Sequence, residues 1–70
     1  MKALTPDQAE ALRVAVYEYA DARANASAYR VRAVYSQDIN ERADHKNAVA
    51  YWTAVAEADK AKLAALGVVL

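Results

Sequence analysis

The chain has no cysteine and no phenylalanine, and in 70 residues it has one glycine, one proline and one histidine. Without cysteine there can be no disulfide staple and no thiolate metal site, and a reducing, cytoplasmic setting is expected. A lone Gly67 leaves no glycine-rich loop to cradle a phosphate, so neither a P-loop nor a dinucleotide fingerprint can be built. Charge of one sign is lacking as well: nine basic and nine acidic residues cancel. No net field therefore draws the chain to nucleic acid, anionic lipid or an acidic substrate.

Long apolar runs are missing too. Nothing approaches the roughly 20 residues that span a bilayer, and the stretch from Met1 to Pro6 lacks the apolar core and small-residue cleavage site of a secretory leader. A membrane partner is not expected.

What fills the sequence is alanine, at 19 of the 70 positions, and such a bias favours helix strongly. Alanine and arginine together also point to a GC-rich coding genome, bacterial or phage. At this length one domain, residues 1–70, is expected, near the size at which a single core gives only marginal stability.

Two helix starts can be read. Thr5, Pro6 and Gln8 place a cap, a first-turn proline and the third-position glutamine of a capping box in order. Asp38 followed by Glu41 forms an acidic version of the same box. No Gly or Pro interrupts the span between them, and Gly67 supplies a left-handed residue to close the second helix. The expected fold is all-α: an antiparallel two-helix hairpin over about 6–35 and 39–66, completed by oligomerisation or a partner. A three-helix bundle is the alternative, and it requires a break near Asn25 to Ser27.

Residues placed at 100° intervals put Ala9, Leu12, Ala15, Val16, Tyr19, Ala26, Ala33 and Val34 on the seam of the first helix. Ala48, Val49, Trp52, Val55, Ala56, Leu63 and Leu66 form the seam of the second. A reversal near Gln37 sets Leu12 opposite Leu63 and Tyr19 beside Val55. The same register predicts Arg23 against the Trp52 indole, Arg30 near Glu41, Asp44 and His45, and Asp59 within reach of the Tyr19 hydroxyl, all as structural pairs.

A second apolar set lies on the far side of each helix. It comprises Tyr17, Ala24, Ala28, Val31 and Tyr35 on the first, with Val14 at its margin, and Ala43, Ala50, Tyr51, Ala54, Ala58, Ala61 and Ala65 on the second. A helix that is apolar nearly all round is normally buried on more than one side. Alanines at such spacing let a further helix approach closely, and tyrosines are enriched in interfaces.

Catalysis needs a positioned nucleophile or an acid–base pair in a concave site, which two helices do not enclose. Glu41 and His45 share a face but supply too few ligands for a metal, so no metal or cofactor is expected and the chain is read as a non-enzyme.

The function expected is that of a non-catalytic helical protein–protein interaction module, a small bacterial or phage accessory or inhibitor protein. Its candidate contacts are Tyr17, Val31, Tyr35 and Tyr51, with the tail Val68, Val69 and Leu70 as a second set. Self-association into a homodimeric four-helix bundle and docking on a foreign protein both fit. Two alternatives are a structural subunit of a larger assembly such as a virion, and a nucleic-acid-associated protein using Arg30, Arg32 and Arg42.

Overall fold

The computed structural model describes residues 3–70; Met1 and Lys2, the start of the segment read as free of a leader, lie outside the described residues. Helix α1 spans Pro6–Tyr35 and helix α2 spans Ile39–Ala65, packed against each other as a hairpin of 52 × 15 × 13 Å. The first helix runs unbroken through Asn25 and Ser27, so the three-helix alternative does not apply. None of the described helices is long and apolar enough to cross a membrane.

Local chemistry explains where each helix begins and ends. The Thr5 hydroxyl accepts from the Gln8 amide at 3.2 Å and the Gln8 side chain accepts from the Thr5 amide at 2.9 Å, a complete capping box. Asp38 accepts from the Asn40 and Glu41 amides at 2.8 and 3.0 Å. Only half of the expected second box forms, because Glu41 turns its carboxylate toward His45 one helical turn on, at 3.3 Å.

At the other end of α2, Gly67 adopts φ +90°. The Val68 amide bonds the Leu63 carbonyl and the Gly67 amide bonds that of Ala64, at 2.9 and 3.0 Å. That pair of bonds is the Schellman closure, and it also orients the first tail residue.

The seam follows a heptad. On α1 the buried and half-buried positions include Leu12, Ala15, Tyr19, Ala22, Ala26, Tyr29, Ala33 and Ser36, at alternating spacings of three and four; on α2 they include His45, Val49, Trp52, Ala56, Asp59, Leu63 and Leu66. A 3.5-residue repeat keeps two gently supercoiled helices in contact along their length. Ala9, Val16 and Val34, expected on the seam, are exposed. They lie off this repeat, and a straight 3.6-residue wheel overweighted them while missing Ala22 and Tyr29.

The seam is lined by small residues. Ala15, Ala22, Ala26, Ala33 and Ala56 are buried, Ala22 completely, and among the described residues Leu63 is the one large apolar side chain buried to the same degree. Tyr29 and His45 meet across it with ring centroids 5.8 Å apart, a register that sets Ala22 level with Trp52 and Ala15 level with Asp59.

Of three expected pairings two are replaced by others and one does not form. Arg23 lies 5.9 Å from the Tyr19 ring, one turn back on its own helix, and not on Trp52. Arg30 forms no ion pair among the described residues with Glu41, Asp44 or any other acid. Asp59 is 1 % exposed with neither carboxylate oxygen hydrogen-bonded, so the Tyr19 hydroxyl does not serve it. Its side chain is short and level with Ala15, a full turn from Tyr19. Its nearest cation is the Lys62 ammonium at 3.7 Å.

Candidate interaction surface

The second apolar set stands in solvent. Tyr17 is 67 % exposed and Tyr35 79 %, and Val14 and Val31 are about half exposed. With Asp21, Ala24 and Ala28, all exposed, they complete a second heptad on α1 at positions 14, 17, 21, 24, 28, 31 and 35. Each of these positions lies two residues after a seam position, about 200° around the helix. On α2, Tyr51, Ala54, Ala58, Ala61 and Ala65 repeat the pattern with the same offset and are likewise exposed.

The hairpin therefore has two apolar edges that face away from each other. Tyr17, Val31 and Tyr35 come together on the α1 edge. Tyr51 belongs to the α2 edge, where its ring meets Trp52 edge-on at 5.0 Å, so the candidate tyrosines do not form one patch. In the tail, Val68 is half-buried while Val69 and Leu70 are 91 % and 56 % exposed.

Four exposed large apolar residues, Leu4, Val16, Val34 and Ile39, escaped the sequence reading of this surface, the last two being the most open. Ile39 is 79 % exposed and Val34 71 %. Ile39 is the first residue after the Asp38 cap, where a helix wheel gives no guide to direction.

The three arginines considered for nucleic acid divide between faces. Arg30 and Arg42 line an open cleft of about 450 Å³ together with Lys46, over a floor of Ala33, Val34 and Val49. Arg32 points elsewhere, its guanidinium 4.9 Å from the Tyr29 ring. Arg42 is already engaged, donating from Nη2 and Nε to the Ser36 carbonyl at 2.7 and 3.3 Å. Near the start of α1, Arg13 hydrogen-bonds Glu10 and holds that exposed carboxyl below its ordinary pKa.

Among the described residues no group of three or more His, Asp or Glu side chains is placed to hold a metal ion. Comparison with known proteins returned no matching family model, no similar curated protein and no similar solved structure.

Proposed function

We propose that the chain is a non-catalytic helical interaction module that works by docking an outer apolar edge on a protein surface. One observation carries this reading: a second heptad, apolar but for Asp21, runs in solvent along α1 from Val14 to Tyr35, with a counterpart on α2. Large side chains at that spacing, interleaved with alanine, are what a facing helix needs for knobs-into-holes contact. Extended apolar surface left in solvent and rimmed by polar residues is the usual mark of an interaction site. The proposed setting is the cytoplasm of a bacterium, or of a phage-infected one, with inhibition or scaffolding of the partner as the outcome of docking.

The opposed placement of the edges favours one further reading, a structural subunit of a larger assembly. In a closed four-helix bundle each helix meets its neighbours through adjacent faces. Stripes about 200° apart suit a side-by-side row of helices, in which one hairpin is flanked on both sides.

The test is thermal stability with and without the stripe. Replacing Tyr17 and Tyr35 by Ser is expected to leave the circular dichroism of the dilute chain unchanged while removing any gain in melting temperature with concentration or added partner. A dilute chain that melts high, at a temperature indifferent to concentration and to that substitution, would refute docking.

A further inference from the structure

We infer that the α1 edge binds a second copy of this chain, antiparallel, across a two-fold axis that passes between Ala24 and Ala28. This rests on the docking reading and names its occupant.

The stripe is a near-palindrome. From its centre outward it reads Ala24 and Ala28, then Asp21 and Val31, then Tyr17 and Tyr35, at spacings of four, three, four, three and four. A two-fold contact must match a surface to itself reversed. With the axis at residue 26, Tyr17 of one copy meets Tyr35 of the other at both ends, and the alanines meet in the middle, where small side chains let helix axes approach.

Between Tyr17 and Tyr35 the mirror fails at Asp21 alone, while Val14 reflects onto Asp38 beyond the end of the helix; the chemistry of Asp21 selects the partner. Within the chain its carboxylate accepts only a long contact, 3.4 Å from the Asn25 amide, and no cation pairs with it among the described residues. Reversal sets it opposite Val31 of the second copy, next to Arg32. Asp21 and Arg32 lie on the same flank of the stripe, and in antiparallel pairs like flanks face each other. Arg32 too has no carboxylate partner among the described residues. The two-fold makes the ion pair twice, Asp21 to Arg32 and Arg32 to Asp21, and a random apolar surface would supply neither.

Area sets the expected strength. The helical overlap runs from Tyr17 to Tyr35, roughly 27 Å of helix at 1.5 Å per residue and about 10 Å wide. The two copies together then bury on the order of 550 Å², well below the standard size of a tight complex. A dissociation constant on the order of hundreds of micromolar is expected for so small a contact, so the dimer forms and dissociates with concentration.

Sedimentation velocity of the full chain from 5 μM to 1 mM reads this directly. Asp21→Arg and Arg32→Asp each place like charges across the axis and are expected to weaken the dimer at least tenfold; the double variant restores the opposite-sign pairs and is expected to recover dimerisation. Both sites are solvent-exposed, and circular dichroism confirms that each variant remains helical. A dimer that both single variants leave unchanged, or that Tyr51→Ser abolishes while Tyr17→Ser does not, overturns the α1 pairing and leaves docking in place. A chain monomeric at 1 mM overturns self-association. If that monomer melts only a little above room temperature, a foreign occupant remains; if it melts high, docking falls with it.

Discussion

The Arg42 guanidinium reaches back across the turn to the Ser36 carbonyl, which accepts from both Nη2 and Nε. Ser36 ends α1, so this places a cation on the negative end of the helix and satisfies a carbonyl that no amide reaches. Arg42→Ala is expected to cost about 1–2 kcal/mol, in the range of charge-assisted hydrogen bonds discounted for partial exposure. Urea denaturation of the dilute chain measures it, and a loss near zero would mean that the connector holds without the clamp.

That engagement also bears on nucleic acid. Arg30 and Arg32 lie on different faces and Arg42 is committed to the turn, so no single surface presents all three to a phosphate backbone. Fluorescence anisotropy with a labelled single strand at low salt is expected to show no binding. Saturable binding that weakens steeply as salt rises would restore the reading.

Asp59 makes an opposite contribution. Its carboxylate is buried in the seam with a cation at ion-pair distance and no hydrogen bond, and desolvating a charge without full compensation is unfavourable. Asp59→Ala also improves helix propensity. The variant is expected to be more stable by about 1–2 kcal/mol, read as a higher urea midpoint with an unchanged slope. A destabilised variant would show that the Lys62 contact outweighs desolvation.

Two alanines separated by one residue should respond in opposite ways. Ala22 is fully buried, and Ala22→Leu forces three further carbon atoms into a closed seam at an expected cost of about 1–3 kcal/mol. Ala24→Leu, on the outer edge, is expected to stay within about 0.5 kcal/mol at low micromolar concentration. Equal effects at the two sites would contradict the seam register.

Gly67 closes α2 at φ +90°, with open space where a side chain would project. Gly67→Ala therefore isolates backbone strain, expected at about 1 kcal/mol. Loss of amide protection at Val68 by hydrogen exchange would report it locally.

The helix ends were readable in the sequence because caps are local: Thr5 with Gln8, Asp38 and Gly67 act within four residues of themselves. The hairpin register was readable for a similar reason, since a three-residue connector leaves little freedom. The seam was only half readable. Alanine says nothing about direction, so Ala22 on the seam and Ala24 outside it look alike until a heptad phase is fixed, and Val16 and Val34 outweighed them on a wheel. Long cations were hardest to place. Arg23 and Arg32 each found an aromatic ring on their own helix, while Arg42 found a carbonyl, because a flexible arm settles on whichever acceptor or ring lies within reach.

With a cross-section of 15 × 13 Å, no backbone amide among the described residues is more than about one side chain away from water. Amide exchange in the free hairpin must then track the fraying and separation of two rods, with no deep interior to slow it. The same amides along α1 would become slow only when another surface lies against them, so the pattern of slowed exchange would trace the footprint of whatever the molecule meets.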